Sequence, residues 1–99
     1  MEKISSTRRG HLRSVANSIK STVTVGKEGV NDKVLDAVDT QLKAKELIKI
    51  KVLKNAPGGL DDIANEIGEK LECHVVQTIG RVAVLYRESK DKPSTEYLV

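Results

Sequence analysis

The sequence predicts a two-layer α/β domain in which three helices pack against a four-stranded mixed sheet. Apolar residues recur at helical spacing in three segments, and short runs rich in β-branched residues separate those segments. The resulting order is α-β-α-β-α-β-β. Its two strand–helix–strand units give parallel neighbours through right-handed crossovers, and the final hairpin adds an antiparallel strand.

The first helix is predicted to begin at a cap on Ser5 or Ser6 and to continue to about Lys20. Its apolar stripe has the i, i+3, i+4, i+7 spacing of a face that packs on a core. The stripe consists of Leu12, Val15, Ala16 and Ile19. At 100° per residue, a second group falls in one sector beside it: Arg9, Arg13, Asn17 and Lys20. The helix would therefore carry a ridge of cations along its flank.

Periodicity also gives approximate bounds for the remaining elements. Strands are predicted at 22–25, 46–54, 74–79 and 82–87, and helices at about 32–45 and 60–72. Asn31 can cap the second helix. On the second strand, alternation puts Lys49 and Lys51 on one face, opposite an apolar face. Gly80 and Arg81 are predicted to form the turn of the final hairpin.

The 99 residues predict one domain, with a core of about residues 5–87 and a polar tail at 88–99. A single cysteine, Cys73, leaves no internal disulfide framework within these residues and fits a reducing compartment. There is neither an apolar run of membrane-spanning length nor a signal-peptide core after Met1. We therefore expect a cytoplasmic monomer without a membrane partner or a small-molecule substrate.

Positive charge is concentrated near the beginning of the chain. The formal net charge is +3, yet residues 1–30 hold six cationic side chains against two acidic ones, whereas residues 31–75 hold seven against nine. Such an uneven distribution is typical of one surface that faces a polyanion. Tyr86 and Tyr97 are the only aromatic residues besides the two histidines. A bound nucleic acid should therefore be held mainly through its phosphates and its shape.

A GxxG loop, Gly26-Lys27-Glu28-Gly29, lies between the first strand and the second helix. Two glycines permit a sharp reversal, and backbone N–H groups at a helix N-terminus can bind a phosphate. Lys27 adds a positive charge at the tip, and Glu28 adds a negative one. A GxxG spacing alone also occurs by chance in ordinary turns, so both interpretations remain open on the residues alone.

Catalysis is not expected. Cys73 and His74 are adjacent and point to opposite sides of a strand, which makes a poor nucleophile–base pair. One cysteine and two histidines, His11 and His74, give no metal-ligand spacing. We predict no catalytic residue, no metal and no cofactor.

Several segments, in order, resemble the CRM domain (chloroplast RNA splicing and ribosome maturation), in particular its stand-alone bacterial YhbY type. They are Arg8–Ala16, Val25–Val30, Glu46–Lys51, and the hairpin Gln77–Arg81 with Val84–Arg87. The resemblance covers about residues 5–87. It implies a fold similar to the C-terminal domain of translation initiation factor three.

The resemblance also implies RNA as the partner, and ribosomal RNA in large-subunit precursor particles as its source. It places the RNA-binding residues on the loop, Gly26, Lys27, Glu28 and Gly29, and on the first helix, Arg8, Arg9, Arg13 and Lys20. Electrostatics adds Lys49, Lys51, Arg81 and Arg87 as further candidates. The expected function is a non-enzymatic factor in large-subunit assembly. The alternative is an adaptor that joins ribosomal particles through a protein partner, without contacting RNA.

Overall fold

The computed structural model describes residues 4–89, in which three helices and four strands follow the predicted order. The elements are α1 (Ser6–Ala16), β1 (Ser21–Val25), α2 (Asp32–Lys45), β2 (Leu47–Val52), α3 (Leu60–Leu71), β3 (His74–Ile79) and β4 (Val82–Tyr86). Most of the predicted polar tail, 90–99, lies outside the described residues. Within residues 4–89, no helix is both long enough and apolar enough to cross a membrane.

Helix α1 is one turn shorter than its apolar spacing predicts. The Ser5 side chain caps it by accepting a hydrogen bond from the Arg8 amide at 3.1 Å, as expected. The helix ends at Ala16, and the next residues form a turn in which the Ser18 hydroxyl donates to the Val15 carbonyl at 3.0 Å. Serine competes for helical backbone groups in this way. Lys20 therefore lies in the connection to β1 and not on the helix.

The strand order of the sheet is β1-β2-β4-β3. β1 and β2 are parallel neighbours, as the first strand–helix–strand unit predicts. The second unit differs from its prediction, because β4 lies between β2 and β3 and is antiparallel to both. Every residue of β4 is apolar or aromatic, whereas β3 includes His74, Gln77 and Thr78. An inner strand is covered on both faces, so the apolar strand takes the inner position and the mixed strand takes the edge.

Helices cover both faces of the sheet, so there are three layers where two were expected. The α/β class and the mixed four-stranded sheet are confirmed. Helices α2 and α3 pack on one face over the larger core, which includes Ile48, Ile50 and Leu85. Helix α1 packs on the opposite face, here called the α1 face. That helix has a partner surface because the two inner strands are apolar on this side as well, at Leu47 and Tyr86.

Candidate nucleic-acid interface

Side chains on the α1 face form three rows across the sheet. The strand register defines each row by Cα partners, which point to the same side. The first row contains His74, Tyr86 and Leu47; the second contains Gln77, Val84, Lys49 and Ser21. The third, here called the open row, contains Ile79, Val82, Lys51 and Thr24.

Helix α1 covers the first row and part of the second. Tyr86 and Val84 are 1% and 2% exposed beneath it, in the same cluster as Leu12 and Ala16. The open row lies beyond the helix, and Ile79 there is 63% exposed. The α1 face is therefore a covered core at one end and an open sheet surface at the other.

Arg8 is bound within the fold. Its guanidinium donates to the Tyr86 hydroxyl at 2.6 Å and lies 5.0 Å from the centroid of the Tyr86 ring. Burial raises the pKa of Tyr86, and burial together with Arg8 and Arg9 lowers the pKa of His74. Arg8 therefore anchors α1 to the first row, whatever it also contributes to the local positive potential.

Arg9 is also bound within the fold, on the other flank of α1. Its Nη1 atom donates to the carbonyls of Val75 and Val76, each at 2.9 Å. These carbonyls lie beside an irregularity in the register of β3 with β4. Val75 and Val76 belong to the edge strand β3, so Arg9 ties α1 to the edge of the sheet between the first and second rows.

Arg13 lies on that same flank, one turn after Arg9, and is exposed. Lys20 is exposed as well, immediately before Ser21, the Cα partner of Lys49. The predicted ridge thus consists of two exposed cations, Arg13 and Lys20, together with Arg9, which is half-buried and bonded to the edge strand.

The GxxG loop is a tight turn at the end of β1. The Gly29 amide donates to the Gly26 carbonyl at 2.9 Å, so that N–H group already has a partner. Gly29 has a φ of 68°, and a Cβ there would lie 2.9 Å from Cγ of Pro57. Gly26 has no positive φ, and a Cβ there would meet only Leu53, at 3.8 Å. The second glycine is therefore required by the fold, and the first is not.

Lys27 and Glu28 are exposed at the tip of this loop. The Asn31 amide group donates to Glu28 Oε2 at 3.4 Å, and Asn31 Oδ1 accepts from the Val34 amide at 2.9 Å. Asn31 thus caps α2, as predicted. The Glu28 carboxylate is held towards α2, which leaves Lys27 as the exposed cation of the tip.

Lys49 and Lys51 connect α1 with the loop. Lys49 pairs with Ser21, which follows the end of α1, and Lys51 pairs with Thr24, two residues before Gly26. The two lysines are about 6.5 Å apart along β2 at the usual rise of a strand. Arg13 and Lys27 therefore border the same face of the sheet at its two ends, and the lysines lie between them.

Arg81 and Arg87 have different surroundings. Arg81 is exposed in the turn between β3 and β4, next to the open row. Arg87 lies on the side of α2 and α3, where it donates to the Leu71 carbonyl at 3.0 Å and to the Asp39 carboxylate at 2.9 Å. Arg81 can join a surface on the α1 face, whereas Arg87 ties the two other helices to the end of β4.

Cys73 has the environment of a core residue. It is 2% exposed, and burial raises the pKa of its thiol to about 11. A thiol with that pKa is almost entirely protonated at neutral pH and is a weak nucleophile. Within residues 4–89, no group of three or more His, Cys, Asp or Glu side chains could hold a metal ion.

The RNA-binding residues predicted from the sequence do not include three members of the open row: Thr24, Val82 and Ile79. Alternation and the hairpin turn already place Ile79 opposite Val82. Their position beside Lys51 depends on the pairing of β4 with β2, which the expected strand order does not contain. Without this register, the sequence does not show that these apolar side chains lie next to a cation.

A family model of the CRS1/YhbY (CRM) domain matches residues 4–87. "Probable RNA-binding protein YqeI" of Bacillus subtilis is 40% identical over 85 residues, which cover 86% of this chain and 88% of the relative. A Haemophilus influenzae protein named "RNA-binding protein" is 32% identical over 91 residues, 92% of each chain.

The fold has a solved counterpart. The solution structure of the hypothetical protein SAV1595 from Staphylococcus aureus matches with a TM-score of 0.77 at 34% identity, covering 90% of this chain and 93% of that one. The family match spans both cores and all seven elements. On this evidence, the chain belongs to the CRS1/YhbY (CRM) domain family.

Proposed function

We propose that this protein is a non-enzymatic RNA-binding factor that binds ribosomal RNA in large-subunit precursors. The observation that carries the proposal is the position of Lys49 and Lys51, which join the exposed cations of α1 to the GxxG loop on one face. The names of the two relatives, which describe RNA binding, support the choice of RNA as the polyanion.

The charge of this surface is uniform in sign across its secondary structure. Helix α1 and the four strands contain no aspartate or glutamate, whereas α2 and α3 contain seven. A surface of this kind attracts phosphates and gains affinity through release of condensed counterions. On the opposite face, the seven acidic residues of α2 and α3 outnumber their four lysines, and most of that excess lies on α3, so this face is less attractive to a polyanion.

The proposed contacts are the exposed or half-exposed cations of the α1 face and its rim. They are Arg13, Lys20, Lys27, Lys49, Lys51 and Arg81. Arg8 and Arg9 hold α1 in place and add to the positive potential. Gly26 and Gly29 shape the loop that presents Lys27. We leave Arg87 out of the interface because its guanidinium is bonded on the other side of the sheet.

Assembly of the large ribosomal subunit in the cytoplasm is the process we propose for this binding. It rests on membership of a family whose bacterial stand-alone form is associated with ribosome maturation. The small size of the domain and the absence of an aromatic base-reading surface in residues 4–89 fit a protein that recognises folded RNA by its shape.

A pair of double variants with equal change of total charge tests the surface. Arg13→Gln with Lys51→Gln should weaken binding to a structured ribosomal RNA fragment about tenfold and lower the salt slope by about 2, because two phosphate contacts are lost. Lys43→Gln with Lys45→Gln, on α2, should change affinity less than about twofold. Filter binding at several salt concentrations measures both. Equal losses in the two double variants would contradict the proposed surface.

The ribosomal part of the proposal needs a measurement in cells. Ultraviolet crosslinking followed by sequencing of the bound RNA should give reads concentrated on large-subunit ribosomal RNA and its precursors. Reads distributed over messenger RNAs in proportion to their abundance would contradict a role in assembly, while leaving RNA binding itself in place.

A further inference from the structure

The open row combines exposed aliphatic surface with cations. Leu53 and Ile79 are the most exposed large apolar residues in the described part of the chain, at 37% and 63%. Both lie at the same end of the sheet. Ile79 is paired with half-buried Val82 in the open row, and Leu53 lies beside the GxxG loop, where its Cδ1 is 3.8 Å from the position of a Cβ on Gly26.

On the α1 face, the charges that border this aliphatic surface are positive, whereas Asp61 and Asp62 lie with Thr78 and Gly80 around a pocket at the start of α3. Lys51 belongs to the row, Lys49 to the next row, and Arg81 and Lys27 are exposed in the two turns that border it. The nearest acidic side chain along the β1–α2 loop, Glu28, is held towards Asn31. An occupant that matches the surface must therefore carry negative charge and also present flat apolar faces.

We propose that the open row binds unpaired nucleotides, with bases over Ile79 and Val82 and phosphates near Lys51 and Arg81. This inference rests on the proposed RNA-binding function and specifies the RNA that the site selects. In a duplex the base faces are hidden by stacking, whereas in loops and single-stranded extensions they are accessible. A protein partner matching the same patch would need acidic groups around an apolar centre.

The dimensions of the row fit a short stretch of RNA. From Ile79 to Thr24 it spans three inter-strand spacings, roughly 14 Å. Other four-stranded RNA-binding sheets hold two or three bases over a comparable width, through aromatic side chains. Aliphatic side chains here supply contact area without aromatic stacking, so a modest preference among bases is expected. The helical part of the RNA would then lie against α1 and the loop.

Two RNAs and two variants test the proposal. The RNAs are a blunt hairpin and the same hairpin with a six-uridine 3′ extension, compared at one salt concentration by fluorescence anisotropy. We expect the wild type to bind the extended RNA about fivefold more tightly, the factor expected for roughly 40 Å² of aliphatic surface removed from water. Ile79→Thr with Val82→Thr should remove this preference and leave blunt-hairpin affinity within about twofold.

Arg13→Gln, on α1 and outside the open row, is the matched control, since it should weaken both RNAs by a similar factor. Threonine is suited to strands, and circular dichroism melting checks that the threonine variant remains folded. Equal binding of the two RNAs by the wild type, or a threonine variant that keeps the preference, would overturn the inference. Self-association that disappears in the threonine variant, without any preference for the extension, would overturn it in favour of an interface between copies.

The same experiment distinguishes a failure of the proposed function from a failure of this inference. If neither RNA binds at low salt, RNA binding itself is contradicted. If both bind with equal affinity and Arg13→Gln still weakens both, the phosphate surface stands and the nucleotide site does not.

Discussion

Single residues in the GxxG loop have unequal roles. Gly29 combines a positive φ of 68° with a close approach to Pro57, and both conditions exclude a side chain. Gly26 meets neither condition. A sequence pattern treats the two glycines alike, but the fold needs one of them, and the exposed residues between them are available for a ligand.

We expect Gly29→Ala to lower the free energy of unfolding by about 2 kcal/mol or more, because an L-residue in the left-handed region costs about 1–2 kcal/mol and its Cβ would press on the Pro57 ring. Gly26→Ala should stay within about 0.5 kcal/mol of the wild type or stabilise it slightly. Urea denaturation followed by circular dichroism measures both. Similar midpoints for the two variants would show that the loop is not constrained as described.

At the scale of elements, arginines connect parts of the fold that the main chain leaves apart. Arg8 and Arg9 fix α1 across the sheet, from the Tyr86 hydroxyl to the β3 carbonyls. On the other face, Arg87 connects the last residue of α3, Leu71, with Asp39 of α2. Three of the cations selected as RNA contacts from sequence therefore have structural roles, and a charge reversal at Arg9 would alter the fold as well as the potential.

The contribution of Asp39 to stability, through its contact with Arg87 at the end of β4, should depend on pH. Hydrogen bonds from Lys43 and then Arg87 hold the pKa of Asp39 below its usual value of 3.8. Because the folded-state pKa is depressed, the stabilisation is complete above the unfolded-state value and is lost as pH falls through the folded-state value.

We therefore expect Asp39→Asn to lower the free energy of unfolding at pH 7 by about 0.5–1 kcal/mol, a figure limited by the partial exposure of the pair. The difference from the wild type should shrink towards zero between about pH 4 and pH 2. Urea denaturation at pH 7 and at about pH 2.5 provides the comparison. Asp36→Asn, an exposed carboxylate on the same helix, is the control. If the free energy of unfolding of Asp39→Asn stayed equally far below that of the wild type at low pH, the ion pair would be excluded as the cause.

At the scale of the whole molecule, the sheet separates the charges. The α1 side carries the arginines of α1 and the lysines of β2, and the opposite side carries the seven acidic residues of α2 and α3 together with four lysines. A net charge of +3 understates this asymmetry. The two-sided distribution favours an orientation in which the α1 side faces a polyanion.

The salt dependence of binding distinguishes this orientation from the adaptor alternative. If about five of the six proposed cations contact phosphates, the logarithm of the association constant should fall with the logarithm of salt concentration with a slope of about −4. An adaptor held to ribosomal particles by a protein partner would show a shallow slope and would stay bound after nuclease treatment. Sedimentation of particles with and without nuclease, at several salt concentrations, separates the two.

The sequence by itself determined the local features of this protein. Helical and alternating periodicity placed all seven elements, because local burial patterns decide them. Capping by Ser5 and Asn31 followed from neighbouring residues. The parallel β1–β2 pair followed from the order strand–helix–strand, and the resemblance to the CRM domain from the order of several segments. The excess of cations near the beginning of the chain was visible as composition. Each of these depends on local residue patterns or on the order of the segments along the chain.

Only the tertiary structure decided which residues meet across the sheet. The insertion of β4 between β2 and β3, the packing of α1 on the opposite face and the open row all depend on pairings between distant segments. The same is true of Arg8, Arg9 and Arg87, whose partners lie 78, 66 and 16 residues away along the chain. A charged side chain looks alike in sequence whether it faces solvent or a buried acceptor. Which of the two occurs depends on contacts between distant segments, and the periodicity of the sequence gives no information on those contacts.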